Sequence, residues 1–94
     1  MTFGVRLSAE ALADLERLPA FLQFANPVAA EKVRVALAEG LASLSEMPGR
    51  GRPTPDPDIR DLPVTFGRYG YLISYSAVSE EVFVIRIRHS REHR

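Results

Sequence analysis

Val82-Phe83-Val84-Ile85-Arg86-Ile87-Arg88-His89, close to the C-terminal end, is the stretch whose reading decides the fold. Side chains of a strand alternate between the two faces of a sheet with a period of two. Alternation puts Phe83, Ile85 and Ile87 on one face, expected to be core. It puts Val82, Val84, Arg86 and Arg88 on the other, which therefore ends in two neighbouring arginines. The residues that follow, His89-Ser90-Arg91-Glu92-His93-Arg94, are short and basic, and a mobile tail is expected over 90–94. A small sheet finished by a cationic edge reads as a surface for an anionic partner.

Working back from this strand, Tyr69 to Ser76 forms another, with Tyr69, Tyr71, Ile73 and Tyr75 on one face and Leu72 with small residues on the other. Val78-Ser79-Glu80 is the turn between the two. Asp58 to Val64 is a third strand, whose Pro63 limits pairing on one side, and Thr65 to Arg68, with Gly67, is its hairpin turn. Three consecutive strands joined by short turns make an antiparallel meander. Upstream, Pro48 to Pro57 holds four prolines and two glycines, the composition of a loop rather than of a regular element. Arg50 and Arg52 within it suit either a phosphate contact or a solvated turn.

The first half of the chain is helical by period. Asn26-Pro27 caps and starts a helix from Pro27 to about Glu46. Ala30, Val33, Leu37, Leu41 and Leu44 recur at spacings of three and four, one continuous apolar face. Burying Val33 and the three leucines contributes about 1.5–3 kcal/mol each before entropy is charged. Gly40 costs this helix about 1 kcal/mol relative to alanine, and its small size admits a close neighbour. Met47-Pro48-Gly49 ends the helix. Before it, Thr2 to Leu7 alternates as a short strand with Phe3, Val5 and Leu7 on one face. Ser8 is an N-cap, Glu10 sits in the first turn where the dipole favours an acid, and Ala11, Leu12, Leu15 and Leu18 form a stripe. Glu10, Asp14, Glu16 and Arg17 are expected in solvent. Pro19 ends or kinks this helix, with residues 20–25 continuing past the kink. The result is an α+β domain over 1–94, strand-helix-helix-strand-strand-strand, with a helix hairpin packed on a mainly antiparallel twisted sheet.

Composition narrows the function. Ninety-four residues leave no room for a second core, and 46% apolar residues argue against disorder. Twelve basic and twelve acidic residues cancel, so bulk attraction to nucleic acid is not indicated; the positive charge is concentrated near the C-terminus. The sequence has no cysteine, which removes disulfide and thiolate chemistry. No stretch reaches the length of a membrane span, and the N-terminus lacks a signal-peptide pattern. A cytoplasmic protein with no membrane partner and no cofactor is the expectation.

Several segments together resemble the RelE/ParE superfamily of bacterial type II toxins. They are Leu7-Ser8-Ala9-Glu10-Ala11 leading into Asp14-Leu15, Asn26-Pro27, Leu44 with Pro48-Gly49-Arg50-Gly51-Arg52, Ile59-Arg60-Asp61-Leu62, Tyr71-Leu72-Ile73-Ser74-Tyr75 and Val84-Ile85-Arg86-Ile87-Arg88-His89. Their order and spacing across nearly the whole chain carry the resemblance, and the element order derived above agrees with the family fold. The resemblance implies a toxin neutralised by a cognate antitoxin protein in a hetero-oligomer. It leaves the target divided. ParE-like members inhibit DNA gyrase and cleave nothing; RelE-like members cleave messenger RNA in the ribosome. RelE-like members usually carry an arginine where this chain has Leu72, and often a tyrosine near the C-terminus, where this chain has none. The resemblance therefore favours the gyrase inhibitor, with the ribosome-dependent nuclease and a harmless antitoxin-binding relative as alternatives.

Arg60, Tyr75, Arg86, Arg88, His89 and Arg91 are the candidate target-binding residues. In the nuclease alternative, Arg60, Arg86 and Arg88 clamp a phosphate and His89 moves protons near neutral pH. Each has a plainer reading as well: the tyrosines as core, Arg60 as an ion-pair partner, Arg86 and Arg88 as a solvated face. His89 and His93 are four apart but lack a third ligand, so no metal site is expected. Asp56 and Asp58 read as turn formers.

Overall fold

The computed structural model describes residues 2–67 and 69–91. Arg68, Glu92, His93 and Arg94 and the side chain of Tyr69 lie outside the described residues, and so do the expectations of a mobile tail end, of a His89–His93 pair and of Tyr69 on the core face. The elements are β1 (Gly4–Leu7), α1 (Ala9–Gln23), α2 (Pro27–Glu46), β2 (Arg52–Pro53), β3 (Arg60–Phe66), β4 (Tyr69–Val78) and β5 (Glu81–His89). The five strands form one sheet in the order β1-β5-β4-β3-β2. β1 runs parallel to β5 and every other pairing is antiparallel. The expected α+β architecture is present, with differences in the strands: β1 begins at Gly4 rather than Thr2, and Val78, expected in the turn, is the last residue of β4. The proline-rich loop contributes the two-residue strand β2 against Asp61 and Arg60, and the third strand begins at Arg60 and extends to Phe66.

α2 starts and stops where its signals place it. Asn26 caps it, the side-chain oxygen accepting from Ala29 N–H at 3.0 Å. Ala30, Val33, Leu37 and Leu44 are fully buried. Gly40 faces the sheet: a Cβ there would lie 2.9 Å from Val64 Cγ2 and 3.2 Å from Ile73 Cδ1. Its missing side chain is what lets the helix lie this close to β3 and β4. α1 continues through Pro19 to Gln23 without a break. Pro19 and Leu18 are buried and Leu22 packs against the core, and that packing holds the helix together across the missing hydrogen bond. Leu12, expected in the stripe, is exposed.

The buried side of the sheet is built by Leu62 of β3, Tyr71, Ile73 and Tyr75 of β4, and Val82, Val84 and Ile87 of β5. Both helices cover this side, and Phe3, Val5 and Leu7 complete it. β4 and β5 are joined at Ser79 and Glu80, both with left-handed φ of 52° and 65°. A two-residue hairpin turn with positive φ at both positions matches the twist of its flanking strands.

β5 overturns the expected face assignment. Val82 and Val84 are core, not outward, and Phe83 is 48% exposed. Yet Ile87 is also core, so the alternation changes phase between them. The cause is a β-bulge. Ser74 of β4 pairs with Arg86, the next residue Tyr75 pairs with Val84, and Ile85 is the extra residue. One added residue flips every side chain beyond it to the other face.

Candidate functional site

The bulge leaves backbone groups at the β1 side of β5 to be satisfied, because β1 pairs only as far as Val84. The chain turns there into α1, and two side chains, one of its N-cap and one of its first half, take over the edge. Ser8 N–H donates to Val84 C=O at 2.9 Å. Ser8 Oγ donates to Ile85 C=O at 2.7 Å while accepting from Ala11 N–H as the helix cap. Asp14 then accepts the Ile87 N–H at 2.9 Å.

Asp14 was expected in solvent; it is 3% exposed. The reason is its partners. Arg86 meets it side-on, Nε to Oδ2 at 2.7 Å and Nη2 to Oδ1 at 3.2 Å, and Arg17 adds a contact of 3.3 Å. With Ile87 N–H this fills the roughly four acceptor positions of a carboxylate. Burial alone would raise the Asp14 pKa, but hydrogen bonds from Arg86, Ile87 N–H and Arg17, with the Arg86 charge, hold it below its ordinary value. The same Asp14 hydrogen bond and charge raise the pKa of Arg86. Arg86 is thus committed to a structural ion pair.

Arg88 follows two residues later on the same side of β5, away from the helices. There Ser74, itself buried, donates to Asp61 Oδ1 at 2.6 Å and accepts from Arg88 Nη2 at 3.3 Å. Among the described residues the Arg88 Nε is shielded from solvent and has no hydrogen-bond partner. These residues, with Ile85 and Arg86, floor a groove of about 240 Å³ whose wall is Thr54, Asp56 and Ile59 from the loop. Thr54 shapes that wall with its single hydroxyl hydrogen, placed 2.9 Å from both the Asp56 and the Ile59 carbonyl oxygens and so donated to one or shared between them, and Asp56 accepts from Asp58 N–H, the turn-forming role expected of it.

Tyr75, Arg60 and His89 sit on the helix-bearing side. Tyr75 is fully buried. Its hydroxyl donates to Pro48 C=O at 2.7 Å and accepts from Gly51 N–H at 2.9 Å, so it pins the start of the loop. A Cβ on Gly51 would fall 2.6 Å from that hydroxyl, which explains the glycine. Arg60 pairs with Tyr75 across β3 and β4 and donates to Gly51 C=O at 2.8 Å. His89 pairs with Tyr71 and meets its ring edge-on at 5.2 Å. His89 Nδ1 accepts from Arg91 N–H at 3.1 Å, and Arg91 is exposed in the turn beyond β5. The six candidates therefore do not converge: Arg86 and Arg88 share the open groove, Arg60 and Tyr75 anchor the loop, and His89 and Arg91 lie at the end of β5. Among the described residues there is no cluster of three or more histidine, cysteine or acidic side chains suited to a metal.

The sequence profile of the ParE toxin of type II toxin–antitoxin systems, parDE, matches residues 5–94. The chain belongs to the ParE toxin family. Toxin RelE1 of Caulobacter vibrioides is 38% identical over the full length of both chains. Toxin RelE3 of the same organism is 36% identical, covering 97% of this chain and 98% of its own. In structure the chain resembles the chromosomal ParDE system of P. aeruginosa, with a TM-score of 0.76 at 23% identity over 94% of this chain and 96% of that one. It also resembles a free-state mutant of E. coli toxin RelE, with a TM-score of 0.71 at 20% identity over 99% and 88%. At these identities the structures establish a shared fold, and the RelE/ParE superfamily assignment made from the sequence stands. As a ParE-family toxin the chain contains no helix among its described residues long and apolar enough to cross a membrane.

Sequence reasoning missed Asp14, Asp61 and Ser74 as parts of this surface. Asp14 did carry a signal. It lies three after Ala11 and four before Leu18, inside the buried stripe, where an acid requires a partner. Asp61 and Ser74 carried none, since a single polar residue on an outward strand position is ordinary.

Proposed function

We propose that this ParE-family toxin is held by a cognate antitoxin protein in a hetero-oligomer and, when released, acts by binding DNA gyrase rather than by cutting RNA. One observation carries the choice: the groups that cleavage would need together are apart. Transfer of a proton to or from a reacting hydroxyl requires an acid or base within hydrogen-bond reach of it, beside the cations that hold the phosphate. Here His89 packs on Tyr71 at the helix-bearing side, the Tyr75 hydroxyl is committed to the loop, and Arg86 is committed to Asp14. The groove offers Arg88 beside two carboxylates, Asp56 and Asp61. That mixture of charges supports a protein partner over a nucleic acid, and gyrase is the target that ParE-like proteins imply.

The second reading is the ribosome-dependent messenger nuclease. It is favoured by the 36–38% identity to two toxins named RelE. Supercoiling by gyrase and toeprinting of a translating messenger, each with and without the purified chain, separate the two. Lost supercoiling with intact messenger supports the proposal. Codon-positioned cuts with unaffected gyrase replace it with the nuclease, and silence in both leaves the non-toxic antitoxin-binding relative.

A further inference from the structure

The two arginines of β5's second half are a matched pair with different occupants. Arg86 presents its Nε and Nη2 edge to Asp14, and that carboxylate lies flat against both donors. Arg88 has the same edge. Among the described residues its Nη2 reaches the Ser74 hydroxyl, at 3.3 Å, and its Nε is buried with no partner. A buried N–H without an acceptor is unfavourable, so the resting arrangement of Arg88 is incomplete. Rotation of an arginine side chain is fast, and turning that edge into the groove relieves the cost once an acceptor is there.

We infer that the groove receives an acidic side chain of a protein partner, glutamate or aspartate, with Arg88 as its bidentate anchor. The occupant's chemistry follows from the walls. Ile59 and Ile85 give an apolar lining for an aliphatic stem, Ser74 offers a hydroxyl beside the anchor, and the volume of about 240 Å³ suits one side chain. A nucleic-acid strand fits poorly: among the described residues the groove has no aromatic lining on which a base would stack. Arg86 shows within the same molecule that a carboxylate is a good acceptor for this edge. The inference deepens the protein-binding reading of the same surface, but its test uses neither gyrase nor ribosome, so the two fail separately.

The test follows the backbone amide resonances of Ser74 and Ile85, which line the groove, in the purified chain by nitrogen-15 NMR, with the Arg88 Nε–H resonance as a further reporter in the wild type. Three probes are titrated: N-acetyl-glutamate amide, inorganic phosphate and a short oligouridylate. The expected result is a saturable shift of the groove amides with the glutamate probe in the millimolar range, at least roughly tenfold weaker in Arg88→Lys, which keeps the charge but loses the fork. No shift in the wild-type chain, a shift unchanged in Arg88→Lys, or a preference for phosphate or oligouridylate over the glutamate probe overturns it. The wild-type titration stands whether or not the variant folds.

Discussion

The two halves of β5 carry the same kind of sequence and have different duties. Before Ile85 the strand is held on both edges, by β1 and by β4, and its inward side chains Val82 and Val84 are fully buried. From Ile85 onward β1 is gone and the edge is held by two side chains, that of Ser8, the N-cap of α1, and that of Asp14 within it. The first half is ordinary sheet. The second half depends on a buried carboxylate, and that dependence aims Arg86 at the helix while Arg88 stays over the groove. A strand edge satisfied by side chains is a device that single substitutions can remove, which an edge satisfied by backbone is not.

Removing Asp14 should produce the largest effect. Asp14→Ala leaves Ile87 N–H buried without an acceptor and breaks a paired charge. Loss of one partner in a buried pair costs about 3–5 kcal/mol, and the Arg86 side chain is 41% exposed, so about 2–4 kcal/mol is expected, read from denaturant midpoints. The pH dependence has a definite sign. A folded-state pKa held below the ordinary 3.8 means Asp14 contributes its full stability above that value and loses it as pH falls through the lowered one. Wild type should therefore lose stability below about pH 4, and Asp14→Asn should lose less over the same window. An identical acid response in both would sever the link between Asp14's burial and the second half of β5.

A smaller loss is expected at the junction of the two halves. Ser8→Ala removes the α1 cap and the donor to Ile85 C=O together, worth about 1–2 kcal/mol. Amide exchange should sharpen the comparison. Ile87 N–H should exchange faster in Ser8→Ala, while the N–H groups of Val82 and Val84, in the half held by backbone on both sides, keep their protection. Equal acceleration across the strand would mean the bulge is not a separate unit.

What the sequence made legible follows the same division. α2 was readable to the residue because Asn26-Pro27 and an unbroken stripe are local signals, and Ser8 was readable as a cap. The phase of β5 was not. From Val82 to Ile85 both faces are apolar, so either phase fits, and only Arg86-Ile87-Arg88 shows a contrast. Reading that contrast backwards through an unseen bulge inverted Val82, Phe83 and Val84. The candidate site suffered for the same reason. Arg60, Tyr75 and His89 project to the helix side and Arg86 and Arg88 to the groove, a separation that depends on strand register and on the bulge rather than on any local motif.

The smallest expected effect tests the difference between the arginines most directly. Arg88→Met keeps an unbranched stem over the groove and removes the unpartnered Nε–H, so the folded state loses one 3.3 Å hydrogen bond and a buried donor with no acceptor. These oppose each other, and a change within about 0.5 kcal/mol is expected, as for surface positions away from a network. Arg86→Met has no such compensation. It strips the side-on contacts from Asp14, leaves Arg17 and Ile87 N–H as its partners, and should cost clearly more in a parallel denaturant titration. If Arg88→Met proved as damaging as Arg86→Met, Ser74 and Asp61 would have to be holding Arg88 as a structural strut, and the groove would lose its anchor. A stable Arg88→Met chain that no longer responds to the glutamate probe would instead separate the two arginines cleanly, one closing the edge of the sheet and the other free to take a carboxylate from outside.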